Sequence, residues 1–273
     1  MSSSWFLHPL RRRPILGLKV YQRSQIDLLR ELAIAQYKLK DQSTVFGFLW
    51  SFLHPLALLL VLFVFFNGGF GGQIEHYPIY MLLGLVHYTH FANTTGAALR
   101  TLRDMRELTA EAVFPKELLV FANVVSGSIE FVISMAICLG LAAAAGVPPS
   151  AAWLWVLPAM ALQLLLAAWV GLGLASLYPF AGDIDHIYQI VLRMLFFGTP
   201  IFYDSKFLGN SPLAQTALEI NPLAQMIGIS RDAVLHGELR PGVLAVFTAV
   251  NLAGGVVALW LFKKLEPRFA ENV

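Results

Sequence analysis

The chain has 273 residues, of which 57% are hydrophobic, 12% aromatic and only 13% charged, and its mean hydropathy is +0.65. That leaves too little polar surface to enclose a water-soluble globule, and a net charge of +2 with a pI near 8.7 is too mild to point to nucleic acid. The composition belongs in a bilayer, and the single cysteine, Cys138, lies in an apolar run as an inert thiol with no intrachain partner.

Residues 1–48 read as a cytoplasmic N-terminal segment. Its opening, MSSSWFLHPLRRRPILGLK, has no apolar stretch long enough for a cleavable signal, so the first span is expected to serve as its own uncleaved signal. Leu28, Leu32, Ala35 and Leu39 recur at helical spacing, with Asp27, Glu31, Lys38 and Asp41 toward the other side. The pattern predicts an amphipathic helix lying along the inner membrane surface.

Six mostly apolar runs follow: Ser51 to Asn67, Tyr77 to Leu99, Leu118 to Val147, Trp153 to Tyr178, Ile187 to Tyr203 and Gly242 to Phe262. At about 1.5 Å per residue, runs of this kind can cross some 30 Å of hydrocarbon as helices. They are continuous rather than alternating, which argues for helices over a barrel. The expectation is an all-α integral membrane protein, with a six-helix domain over 49–262 and a tail over 263–273.

The first connection, the Gly68 to Gly72 run GGFGG, reads as a flexible turn. Span two is unusually polar, with His87, His90, Asn93, Thr94 and Thr95 amid Tyr88 and Phe91, and such groups in lipid must face protein or a water-filled path. His87 and His90 have no third ligand nearby, so no metal site is expected.

Between spans two and three the chain reads RTLRDMRELTAEAVFPKELL, unusually rich in charge for so apolar a protein. Leu102, Met105, Leu108 and Ala112 share one helical face, and Arg103, Asp104, Arg106, Glu107 and Glu111 supply a charged one. Pro115 pushes Phe114 out of the helical region and suits the first turn of the next helix, followed by Lys116 and Glu117. A solvated loop fits this pattern, and so does a docking surface for a cytoplasmic partner.

Glu130 in span three and Arg193 in span five both fall in the inner half of the bilayer, within reach if those spans are neighbours. They read either as an intramembrane ion pair or, for Arg193, as a group that faces a polar pathway and meets a phosphate or sugar. Tyr88, Phe91, Phe196, Phe197 and Tyr203 can stack on sugar rings or simply pack the bundle. GDIDH at Gly182 to His186 reads as a polar turn; as a magnesium site of a membrane enzyme it has too few carboxylates. In the next segment Asn221 and Pro222 start a helix, with Leu223, Met226, Ile227 and Val234 on its apolar side and His236 and Gly237 as its stop.

Lysine and arginine set the orientation. Arg11, Arg12, Arg13, Lys19, Arg23, Arg30, Lys38 and Lys40 precede the first span; Arg103, Arg106 and Lys116 follow the second; Lys263, Lys264 and Arg268 follow the last. Both termini are therefore expected in the cytoplasm. The longest outer segment, Asp204 to Pro241, holds only Lys206, Arg231 and Arg240.

Taken in order, FGFLWSFLHPL, VFPKELL, FFGTPIFY, INPLAQMIGISRDAVLHG and FKKLEPRFAENV resemble the permease subunits of bacterial ABC polysaccharide exporters, the type-2 permeases of O-antigen, teichoic acid and some capsule systems. The resemblance runs from about Asp27 onward. It implies an inner-membrane homodimer of six-span subunits, paired with two copies of a cytoplasmic ATPase that binds the ATP and magnesium, and a lipid-linked polysaccharide as cargo. It makes residues 101–111, with Phe114 to Glu117, the coupling helix that enters a cleft of the ATPase. It also implies short helices before the last span, with Asn221, Pro222, Met226 and Arg231, that dip into the outer leaflet as an exit gate. Related permeases export lipids or drugs, which is the alternative within the same architecture.

The chain itself has no GxxxxGK[ST] loop, and no glycine is followed by lysine, so it cannot cradle ATP in that way and is not expected to be catalytic. An ion gradient is the rival energy source. Inverted repeats and broken-helix pairs are not evident in the sequence.

Overall fold

A computed structural model describes residues 25–41, 49–70, 74–111, 114–204 and 211–272, and these form helices and short connections with no strand among them. The basic residues Arg11, Arg12, Arg13, Lys19 and Arg23, as well as Gly71, Gly72, Ala112 and Lys206, lie outside the described residues. The elements are α1 (Gln25–Asp41), α2 (Trp50–Phe70), α3 (Tyr77–Asp104), α4 (Arg106–Glu111), α5 (Glu117–Ala144), α6 (Val156–Leu177), α7 (Ile184–Gly198), α8 (Pro212–Ile220), α9 (Pro222–Arg231), α10 (Pro241–Leu265) and α11 (Phe269–Asn272).

Four stretches among the described residues are long and apolar enough to cross a membrane: Phe52–Gly69, Glu117–Ala144, Ala151–Leu177 and Pro241–Arg268. The chain is therefore a multi-pass membrane protein. The other two expected spans differ for separate reasons. α3 has 28 residues but carries a polar face, whereas α7 has only 15. Pro200 ends α7 early, because the residue before a proline is driven out of the helical region, and Thr199 adopts φ −103 and ψ 135. The run expected to be helical as far as Tyr203 is irregular from Thr199 onward.

α3 is the central post, packed against α5, α6, α2, α9 and α7, and α10 lies against α6. The core consists of Met81, Leu85, Leu99, Leu166 and Ile201 on one side of α3, and Leu82, Phe131, Met135 and Met160 on the other. Each such side chain contributes about 1.5–3 kcal/mol when taken from water. In lipid it contributes mainly through close packing.

Three expectations about local structure are corrected. Gly68 and Gly69 belong to α2, which continues through Phe70, so no flexible turn begins at Gly68. The packed face of α1 is Leu32, Ala33 and Gln36 against α5, with Ala35 exposed, because Gln36 is anchored by donating from Nε2 to Leu119 O at 3.1 Å. The helix expected over 101–111 is two pieces, since α3 runs on through Asp104 and the chain bends at Met105 (φ −107, ψ 42) before α4.

Candidate functional site

A cavity of about 810 Å³ opens at the end of the molecule that carries α4, between α1, α2, α3, α5 and α7. One stripe of α3 forms its main wall: Thr89, Asn93, Gly96, Ala97, Arg100 and Asp104. These positions recur every three or four residues and therefore share a helix face. α5 adds Asn123, Ser126 and Gly127, α2 adds His54, and α7 adds Gln189, Leu192 and Arg193.

The charges of this wall are unevenly satisfied. Arg100 Nη1 meets Asp185 Oδ1 at 3.1 Å and so ties α3 to the first turn of α7. Two turns farther along α7, Arg193 is exposed to the cavity and has no carboxylate partner among the described residues. Gln36, only 8% exposed, donates to Leu119 O, while its Oε1 finds no hydrogen-bond partner among the described residues. A buried unpaired amide oxygen costs about 1–3 kcal/mol unless a ligand or water donates to it. The cavity thus offers a cation and several amides and hydroxyls, a set suited to a cargo with an anionic group and many hydroxyls.

Glu130 lines a separate small pocket with Val86, His90, Phe131 and Ser134, and Thr89, Asn93 and Thr94 are common to both spaces. Its pocket therefore adjoins the cavity that Arg193 lines. Of the aromatic candidates, Tyr88 lines the cavity, donates from its hydroxyl to Leu192 O at 2.9 Å and meets Phe196 edge-on at 5.0 Å. Phe91 and Tyr203 are buried in the core, and Tyr203 donates to Phe197 O at 3.0 Å. Phe197 is 65% exposed on the outer side of α7. No group of three or more His, Cys, Asp or Glu among the described residues is placed to hold a metal ion.

At the α4 end, Arg106 and Glu107 are exposed, whereas Arg103 donates to the Tyr178 hydroxyl at 3.1 Å and so is held against the turn after α6. Thr109 Oγ1 donates to Leu102 O at 2.9 Å and pins α4 beneath the last turns of α3. Phe114 packs with Leu108 and Met105 on a cluster that includes Leu119, Phe262 and Phe269. Burial pulls the Lys116 ammonium below its ordinary range, and the nearby Glu266 opposes that shift. Pro115 starts the turn into α5, its carbonyl accepting from Leu118 N at 3.1 Å, and Glu117 in the first turn pairs with Lys263 at 2.7 Å. The side chain of Glu111 lies outside the described residues.

The opposite end is organised by Arg231. Asn221 caps α9, its Oδ1 accepting from Leu223 N and Ala224 N, Pro222 occupies the first turn, and Met226 is fully buried. At the end of that helix Arg231 is 4% exposed and donates to three carbonyls: Tyr80 O from Nε and Nη2, Pro200 O from Nη1 at 2.6 Å, and Ile201 O from Nη2 at 2.8 Å. Its guanidinium also stacks over the Tyr80 ring, 3.4 Å from the centroid. A Cβ at Gly84 would lie 2.7 Å from Nη2, so glycine makes room for the clamp. The chain then leaves the helix through Gly237 at φ 68.

Beside this clamp lies a buried network that the sequence reading missed. His87 Nδ1 donates to Gln163 Oε1, since an amide oxygen only accepts, which leaves Nε2 to accept from Ser230 Oγ at 2.9 Å. Gln163 Nε2 donates to His87 O and His90 Nδ1, and His90 stacks on Phe131 at 4.1 Å. Among the cavity residues, Arg100 and Gln189 were also not assigned. The signal for both is spacing: Asp185, Gln189 and Arg193 are four apart on α7, and Asn93, Arg100 and Asp104 continue the polar stripe of α3.

Residues 28–235 match the ABC-2 type transporter family. The chain is 26% identical over 246 residues to the O-antigen export system permease protein RfbA of Klebsiella pneumoniae, covering 90% of this chain and 94% of that one. It is 28% identical over 254 residues to the protein of the same name in Myxococcus xanthus, covering 90% and 95%. Against the polysialic acid transport protein KpsM of Escherichia coli it is 24% identical over 223 residues, covering 77% and 83%. A family match across most of the chain, on an all-helical membrane architecture, makes this protein a member of the ABC-2 type transporter family.

Proposed function

We propose that the chain is the membrane subunit of an ATP-driven exporter that moves a lipid-linked polysaccharide, of O-antigen or related cell-surface type, across the bacterial inner membrane. In this reading α3 and α7 complete six spans, both termini and α4 face the cytoplasm, and α8 and α9 dip into the outer leaflet as an exit gate. Two copies form the pathway, and two ATPase subunits bind ATP and magnesium and grip α4 through Arg106 and Glu107.

The observation that carries the proposal is the cavity at the α4 end. Arg193 is exposed there with no carboxylate partner among the described residues, beside the amides of Asn93 and Asn123. In membrane proteins such polar groups mark pathways, because leaving them unpaired in hydrocarbon is costly. Arg193 receives a phosphate of the cargo, while Asn93 and Asn123 bond its hydroxyls, and Tyr88 offers an aromatic face.

The test is export by the chain and its ATPase reconstituted in vesicles, with polymer delivered to the lumen and ATP hydrolysis measured together. Arg193→Gln removes a charged hydrogen bond of about 1.5–3 kcal/mol, so export falls roughly tenfold or more while the complex still assembles. Normal export by that variant removes Arg193 from the pathway. Transport by the chain alone, driven by an ion gradient, overturns the reading altogether.

A further inference from the structure

The segment that follows the last apolar stretch does not trail away from the bundle. Phe269 is fully buried, edge-on to Phe262 at 5.1 Å and 6.2 Å from Phe180, in the same cluster as Leu102, Leu108 and Phe114. Through it, α11 packs against α4. Glu266 Oε1 accepts from Lys116 N at 3.1 Å, and Lys263 Nζ meets Glu117 at 2.7 Å and Glu266 at 3.1 Å. The start of α5, the end of α10 and the underside of α4 are thus one bonded unit.

Resting on the ATPase reading above, we infer that Phe269 and the Lys263, Glu117 and Glu266 cluster deliver the ATPase's movement at α4 to α10 as well as to α5. The exposed charges of α4, Arg106 and Glu107, stand on one side of this unit and Arg268 is exposed on the other segment. A partner seated on α4 cannot displace it without displacing Phe269, because close-packed side chains transmit strain rather than absorb it. α10 in turn lies along α6, so the movement reaches the helix that carries Gln163 and its network.

The experiment compares the reconstituted complex of the wild-type chain and ATPase with Phe269→Ala, Phe269→Leu, Glu117→Lys and the exchange Glu117→Lys with Lys263→Glu. ATPase co-purification, ATP hydrolysis and polymer exported per ATP are read together. Phe269→Ala and Glu117→Lys should keep the ATPase bound yet lower export per ATP by about fivefold or more, a coupling loss of ordinary size. Phe269→Leu, which retains bulk, and the charge exchange should each recover at least half of it. Export per ATP at the wild-type level in both single variants, or a Glu117→Lys defect that the exchange leaves untouched, overturns the inference while leaving the ATPase reading intact. An ATPase that never binds the wild-type chain overturns both.

Discussion

The two ends of the molecule are held together by opposite means. At the α9 end one arginine, nearly sealed from solvent, bonds three carbonyls and stacks on a ring. At the α4 end the charged contacts are open, with Lys263 48% exposed where it meets Glu117 and Glu266, and the strength comes from Phe262 and Phe269 beneath them. A buried charge bonded to backbone is costly to break and holds one geometry. Exposed pairs over an aromatic wedge contribute little to stability and can exchange partners.

The contrast can be broken most forcefully at Arg231. Replacing it with alanine strands three carbonyls that it now bonds, and thermal unfolding in detergent should register a loss of about 3–5 kcal/mol. An unchanged melting temperature would dissolve the distinction between the ends. Gly84→Ala attacks the same clamp from the other side, driving a methyl group into Nη2, and should cost about 1–3 kcal/mol. Because the two sites touch, Gly84→Ala should cost far less in an Arg231→Ala background; additive losses would place the strain elsewhere.

Smaller effects sharpen the comparison. Asp185→Asn breaks a partly exposed pair with Arg100 and should shift stability by no more than about 1 kcal/mol, while freeing Arg100 toward the cavity. A measurable change in polymer export with an unaltered melting temperature is the expected pattern. Lys263→Ala should be the mildest in stability, within about 1 kcal/mol, and a loss as large as that of Arg231→Ala would show that the α4 end is locked too.

Much of the helical order was legible in the residues. Asn221 and Pro222 announced the start of α9, the apolar runs located α2, α5, α6 and α10 within a few residues, and the polarity of His87 to Thr95 placed α3 inside the bundle. What escaped was whatever depends on partners distant in sequence. Arg231 reads as one of a few outer-segment cations, and nothing near it signals that Tyr80 and Ile201 will surround it. Gln163, alone in an apolar run, likewise finds His87 only through the packing of α6 on α3. The early end of α7 was within reach, since Pro200 disfavours helix at Thr199, but the apolar residues on either side of it masked the break.

That break has a consequence for the lipid. Fifteen residues of helix measure about 22 Å, against roughly 30 Å of hydrocarbon. In the six-span reading, the outward side of α7, with Ile187, Ile190, Met194 and Phe197 exposed, thus ends well before a normal bilayer does. Beyond it the carbonyls of Pro200, Ile201, Phe202 and Tyr203 are already bonded by Arg231, Tyr77 and Tyr80, so these acceptors ask nothing of water. In the six-span reading proposed above, a helix this short would be matched by local thinning of the membrane beside α7. A thinned patch shortens the distance that a polar headgroup must travel.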